Sequence, residues 1–102
     1  MFILISVIGG SGFIGTRLCK RLVNKGIEFE IIDKKMSQTF PEKTSLADVR
    51  NIEILRKHVN GNIIVNLATE HRDDVSPKSL YDEVNIGGAE NICKVAEEKG
   101  IN

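Results

Sequence analysis

The chain opens on an almost unbroken apolar run over positions 2–8 and then turns at Gly9 and Gly10. A short run of this kind predicts a strand buried on both faces, as in the interior of a parallel sheet. The period then changes. Ile14, Leu18, Leu22 and Val23 recur at helical spacing over positions 13–25 with charged residues opposite, which predicts an amphipathic helix stopped by Gly26. Positions 28–32, with Phe29, Ile31 and Ile32, predict a second strand ending at Asp33. Positions 34–43 are polar, hold Pro41 and read as a loop, and positions 44–47 predict a brief third strand. Asn51 is placed to cap a helix in which Ile52, Leu55 and Val59 share a face, with Gly61 as its stop. Positions 62–66 predict the fourth strand. Ser76-Pro77 gives an N-cap followed by proline at the first helical position. From there a long helix is predicted to about Lys99 on an inner stripe of Leu80, Val84, Ile92, Val95 and Ala96, closed by Gly100.

The order β-α-β-(β)-α-β-α demands right-handed crossovers and a parallel sheet covered by helices. The expected fold class is therefore α/β in three layers, a sheet of about four strands in the order 3-2-1-4 with helices on both faces. With 102 residues, 41% apolar and 27% charged, the chain has room for one ordinary globular core. Fourteen basic and fourteen acidic residues cancel, which gives no electrostatic reason to expect nucleic acid or an anionic membrane as partner. Arg17, Lys20, Arg21 and Lys25 gather at helical spacing and read as a solvated helix face. Cys19 and Cys93 fit neither a disulfide framework nor a metal-ligand pattern, so buried thiols in a reducing cytoplasm are expected and no metal site is predicted. No apolar run reaches the roughly 18 residues of a membrane span, and the opening segment lacks the basic flank of a signal peptide.

The chemistry concentrates in Gly9-Gly10-Ser11-Gly12-Phe13-Ile14-Gly15, between the first strand and the first helix. Glycines at this spacing turn the strand sharply, let backbone approach a pyrophosphate and let the helix pack closely. The exposed N–H groups and the positive end of the helix dipole then stabilise phosphate charge. Asp33, ending the next strand, is placed to accept hydrogen bonds from ribose hydroxyls. A nucleotide-triphosphate loop is excluded, because Thr16-Arg17 stands where that motif requires Lys and then Ser or Thr. The pattern points to a dinucleotide.

Val7-Ile8-Gly9-Gly10-Ser11-Gly12-Phe13-Ile14-Gly15 resembles the opening of the extended short-chain dehydrogenase/reductases, the NAD-dependent epimerase/dehydratase family. Asp33, with Lys34 beside it, matches that family's ribose-binding acid, and Asp48-Val49 resembles the pair that meets adenine. Asn66-Leu67-Ala68 resembles the end of the fourth strand beside the cofactor. Val84-Asn85-Ile86-Gly87-Gly88-Ala89-Glu90-Asn91 resembles a helix motif, V-N-x-x-G-x-x-N. The resemblance implies a partial, Rossmann-like NAD-binding domain over 1–102, with the substrate domain absent. Its implied cofactor-binding residues are Gly9, Gly12, Phe13, Ile14, Gly15, Asp33, Lys34, Asp48, Val49, Leu67, Ala68 and Asn85. NAD is the implied cofactor, ahead of NADP because Asp33 would repel a 2′-phosphate, a penalty that Lys34 and Lys35 soften.

Two departures qualify the resemblance. The family usually carries threonine where Ile8 stands, so a hydrogen bond within the turn is expected to be missing. Its catalytic Ser/Thr and Tyr-x-x-x-Lys lie on elements that follow the position of Lys99, and Tyr81, the one tyrosine here, has Asn85 four residues on. The resemblance thus implies the dinucleotide-binding portion of a nucleotide-sugar epimerase/dehydratase-like oxidoreductase, with no catalytic residue of its own and no activity alone. A nucleotide-sugar substrate is expected only of the full-length parent. The alternative is a non-catalytic dinucleotide-binding regulatory or interaction module. A Tyr-x-x-x-Lys further along the reading frame favours the first, and cofactor titration separates both from a module that only associates. Self-association is expected through the edge of the fourth strand or the long helix. Thr69-Glu70-His71-Arg72-Asp73-Asp74 follows the fourth strand at the ligand-binding edge and reads first as a polar loop stabilised by its own charges, second as a substrate contact.

Overall fold

The structure, a computed structural model, describes residues 3–68 and 83–101, with 83–85 described by backbone alone. The segment 69–74, the Ser76-Pro77 helix start, Leu80 and Tyr81 lie outside the described residues. Four strands, β1 (Leu4–Ile8), β2 (Glu28–Asp33), β3 (Thr44–Leu46) and β4 (Ile63–Asn66), form one sheet in the order β3-β2-β1-β4. Every pairing is parallel, with Val7 opposite both Ile31 and Val65. The fold class and strand order are those the hydrophobic pattern predicts.

Alternation along the strands divides the core in two. Val7, Phe29 and Ile31 face α1 (Phe13–Asn24) and pack with Cys19 and Leu22. Ile8 and Ile32 face the other way, into a cluster with Ala47, Val49, Leu55, Val59, Ile92 and Val95. That second layer is supplied by α2 (Ile52–His58) and α3 (Ala89–Lys99). Each fully buried Ile or Leu in these layers contributes about 1.5–3 kcal/mol through the area it removes from water.

The helices begin and end where local chemistry dictates. Asn51 caps α2, its Oδ1 accepting from the Ile54 N–H at 3.3 Å. Gly26 follows α1 at φ +68, where its N–H reaches the Val23 carbonyl and the Ile27 N–H reaches back to Leu22. The carboxyl end of α2 is satisfied by Lys99, whose Nζ donates to the Arg56 carbonyl at 2.6 Å and to that of Val59. Arg56 in turn grips Glu98 through Nε at 2.8 Å, so α2 and α3 are tied by side chains as well as by packing. Among the described residues, no helix is long and apolar enough to cross a membrane.

Four expectations change. Cys93, expected to be a buried thiol like Cys19, is exposed, on the solvent side of α3 rather than among the core residues Ile92 and Val95. Ile14 and Val23, placed on the inner stripe of α1, are 68% and 51% exposed; the buried line is Gly15, Cys19 and Leu22. Gly61 does not stop α2 by its conformation. It sits so close to β1 that a Cβ would lie 2.5 Å from Ser6 Oγ and 2.6 Å from the Leu4 carbonyl oxygen. The last helix is not α-helical throughout its described length, because Glu83–Gly88 forms a π-helical turn ahead of α3. Among the described residues, a Cβ on Gly87 would meet nothing within 4 Å.

Ser6, fully buried in β1, is part of a polar clasp. Its Oγ donates to Glu30 Oε2 at 2.5 Å and accepts the Gly61 N–H at 2.8 Å, while the Asn60 N–H donates to Glu30 Oε2 at 2.7 Å.

Candidate functional site

All four strands point their carboxyl ends into one cleft of about 580 Å³. The cleft opens beside the β1–β4 pair, where the crossovers leave β1 in opposite directions, the position at which open parallel sheets take up ligands. Its floor is apolar. Ile32 lines it and Ile8 packs in the same buried cluster behind, so the side chain standing where a threonine was expected has become core.

The turn after β1 is held at close range. Gly9 adopts φ +80 and donates its N–H to the Ile32 carbonyl at 2.8 Å. A Cβ at Gly9 would lie 2.6 Å from the Ala68 nitrogen, so the turn and the segment after β4 are in backbone contact. At Gly15 a Cβ would lie 2.5 Å from the Gly10 Cα, which lets α1 press directly against the turn. Gly12 differs from both, since the nearest heavy atom to an added Cβ is the Gly9 carbonyl oxygen at 4.0 Å.

Gly12 is also the N-cap of α1 and brings no side chain to satisfy the helix start, and the first turn has no acidic residue. The first intrahelical bond is Thr16 N–H to the Gly12 carbonyl at 2.9 Å. The N–H groups of Phe13, Ile14 and Gly15 therefore have no acceptor within the helix. Donors at the positive end of a twelve-residue helix, beside open space, form a cradle for phosphate oxygens.

Asp33 closes the far side of the turn. Its Oδ2 accepts the Ser11 N–H at 3.0 Å and its Oδ1 the Lys35 N–H at 3.3 Å, and the Ser11 hydroxyl donates to the Lys35 carbonyl at 2.7 Å. Each carboxylate oxygen keeps a lone pair for a further donor such as a ribose hydroxyl. Beyond β3, Asp48 is held by Arg50, which donates through its backbone N–H at 2.9 Å, Nε at 3.0 Å and Nη2 at 2.7 Å. The side-chain hydrogen bond from Arg50 holds the Asp48 carboxyl below its usual range, against the opposing effect of partial burial.

Of the residues singled out from the sequence, Gly9, Gly12, Phe13, Ile14, Gly15, Asp33, Lys34, Asp48, Val49, Leu67 and Ala68 all line this cleft. Asn85 lies in the π-helical turn, with its side chain outside the described residues. Asn66, expected beside the cofactor with Leu67 and Ala68, lines the cleft too, while Ile32 and Ala47 line it and were not anticipated. A simple rule would have found them: in a parallel sheet, residues at and just after a strand's carboxyl end face the ligand crevice. Asn66 additionally turns the chain, its Oδ1 accepting the Ala68 N–H at 3.0 Å.

Residues 5–102 match the model of the NAD dependent epimerase/dehydratase family. The chain belongs to that family. Over 98 residues it is 43% identical to the N-acetyl-alpha-D-glucosaminyl-diphospho-ditrans,octacis-undecaprenol 4-epimerase of Escherichia coli O157:H7, covering 93% of this chain and 29% of that protein. The fold superimposes on the Thermus thermophilus UDP-glucose 4-epimerase in complex with NAD at a TM-score of 0.88. The identity is 22%, over 98% of this chain and 35% of that one. It also superimposes on the Bordetella bronchiseptica enzyme WbmG in complex with NAD at 0.87, with 20% identity over 99% of this chain and 36% of that one. At these identities the two structures speak for the fold. The chain thus spans about a third of the length of these proteins.

The cleft fits a dinucleotide on its own geometry. It offers a helix start with free donors, a glycine beside which a phosphate has room, a carboxylate at the end of β2 and an apolar floor.

Proposed function

We propose that this chain is the NAD-binding part of an epimerase/dehydratase-type oxidoreductase that acts on a sugar carried on a diphosphate. The observation behind this reading is the convergence of four strand ends, the glycine turn and Asp33 on one cleft in a member of this family. Phe13, Ile14 and Gly15 would hold the pyrophosphate through their N–H groups, Asp33 the adenosine ribose, and Asp48-Val49 the adenine, with Leu67, Ala68 and Asn85 along the remainder of the cofactor. Hydride acceptance from a sugar carbinol carbon is the chemistry such a cofactor supplies when bound. A nucleotide sugar fits the family and is the substrate we favour for the parent enzyme. The 43% identity to an epimerase of a lipid-diphosphate-linked sugar supports a second form of the same chemistry, with a lipid diphosphate replacing the nucleotide. Within the 102 residues no Tyr-x-x-x-Lys occurs, so no group is placed to move the hydroxyl proton and we expect no turnover from these residues alone.

Calorimetric titration with NAD tests the reading. Asp33→Ala should weaken binding by about 1.5–3 kcal/mol, the worth of hydrogen bonds to a charged group. Equal affinities for wild type and variant would refute the ribose assignment. NADP should bind less tightly than NAD because its 2′-phosphate meets the Asp33 carboxylate; tighter NADP binding overturns that preference.

A further inference from the structure

Asn91 lies on α3, 42 positions after Val49, and its Nδ2 donates to the Val49 carbonyl oxygen at 2.9 Å in a partly buried contact. That carbonyl and the Arg50 N–H are the two polar ends of a single planar peptide. The Arg50 N–H is already engaged, donating to Asp48 Oδ1 at 2.9 Å. A continuous chain therefore runs from the Asn91 amide through the Val49–Arg50 peptide to the Asp48 carboxylate on the cleft wall. We propose that Asn91 is a positioning residue for the base-recognising end of the cleft: by fixing this peptide plane it sets the direction of the Asp48 carboxylate toward the cofactor's adenine. The inference rests on the cofactor reading above and adds to it a residue outside the cleft wall.

Two features separate this role from plain helix docking. The attachment of α3 is secured elsewhere, by Ile92 and Val95 in the core and by the Arg56–Glu98 and Lys99 contacts to α2. Asp48 also keeps capacity for a ligand, because Oδ2 accepts Arg50 Nη2 and has a second lone pair, which suits the exocyclic amine of adenine. Hydrogen bonds in series polarise one another, so losing the first loosens the rest.

The test compares NAD with nicotinamide hypoxanthine dinucleotide, in which that amine is replaced by a carbonyl oxygen, on the 102-residue chain by calorimetry. Wild type should prefer NAD. Asn91→Ala and Asn91→Asp should weaken NAD binding roughly 3- to 10-fold, the equivalent of one lost hydrogen bond. They should also narrow the preference between the two bases, speed amide exchange at Arg50 and lower the melting temperature by no more than the several degrees that one hydrogen bond is worth. Asn91→Gln, which keeps the amide donor, should recover part of the NAD affinity relative to Asn91→Asp. Unchanged NAD affinity and base preference in the variants overturn the inference. So does an equal loss for both dinucleotides with lowered melting, or a failure of Asn91→Ala to fold, since either makes Asn91 purely structural. Wild type that binds NAD without discriminating the bases overturns the adenine assignment and this inference. Wild type that does not bind NAD at all overturns the cofactor reading itself.

Discussion

Gly9 and Gly12 stand three residues apart in one turn, and the geometry assigns them opposite vulnerabilities. In Gly9→Ala the new methyl would lie 2.6 Å from the Ala68 nitrogen and 2.7 Å from the Leu67 carbonyl carbon, backbone atoms that cannot swing aside. The residue would also have to hold φ +80, a conformation that costs an L side chain about 1–2 kcal/mol. Overpacking adds about 1–3 kcal/mol, giving a total of roughly 2–5 kcal/mol. For a domain of this size that corresponds to a fall in melting temperature of roughly 10 °C or more. Gly12→Ala meets no such obstacle: φ −78 and ψ −176 are ordinary extended backbone, and the nearest heavy atom is 4.0 Å away. Alanine is a poorer N-cap than glycine, so stability should fall by under about 1 kcal/mol. The methyl would instead occupy the space before the free N–H groups of α1, and NAD binding should weaken at least about tenfold, or 1.4 kcal/mol. Differential scanning calorimetry and NAD titration on both variants read the two effects separately. Wild-type melting in Gly9→Ala, or wild-type NAD affinity in Gly12→Ala, would refute the reasoning.

Other measurements probe the surroundings. Burial pushes the Cys19 thiol up to about 11, with Lys43 acting in the opposite direction, while Cys93 is exposed. A thiol reagent at mildly alkaline pH should therefore label Cys93 in the native chain and Cys19 only after unfolding; equal native rates would contradict this. The Asp48 carboxyl is lowered by Arg50, so its contribution to stability is present above the unfolded carboxyl's pKa and is lost as pH falls through the lowered folded value. Asp48→Asn should be less stable near neutrality by under about 1 kcal/mol, since both partners are partly exposed, and the gap should close in acid. A gap that persists into strong acid would refute the pairing. The outer edge of β4 has no partner strand among the described residues and carries Ile63 at 39% exposure, so the 102-residue chain should self-associate with concentration. Light scattering that shows a monomer throughout would reject that expectation.

β1 and β4 were legible as short apolar runs and β2 by Phe29, Ile31 and Ile32, with alternation between Ile31 and Ile32 enough to supply both layers. β3, Thr44–Leu46, carries one apolar residue and was legible only as a brief strand. Helix α1 was legible in extent but not in orientation. Apolar period placed Ile14 and Val23 inside, whereas the face that packs is led by Gly15, a residue with no apolar side chain to signal it. The loop 34–43 hid its own packing: Ser37 is buried, its Oγ accepting the Phe40 N–H at 2.9 Å, and Phe40 meets Phe29 edge-on at 5.2 Å. In the cleft, residues with a distinctive chemistry such as Asp33 announced themselves, while Ile32 and Ala47 looked like any other apolar position. Asn91 was visible only as a letter in a motif, because a hydrogen bond spanning 42 positions leaves no local trace.

The Ser6–Glu30–Gly61 clasp bears on how the sheet avoids assembling wrongly. β1 must find β4 across more than fifty intervening residues, and apolar strands such as these would pair almost as well one position out of step. With β4 out of step the Ser6–Glu30 pair would remain, but the Gly61 N–H would lose the Ser6 hydroxyl and the Asn60 N–H would lose the Glu30 carboxylate. Losing two hydrogen bonds, one of them to a carboxylate, costs about 2–4 kcal/mol. Only the native alignment brings the Gly61 N–H to Ser6 and the Asn60 N–H to Glu30 together. The clasp therefore favours the native alignment over threadings that hydrophobic attraction alone would accept.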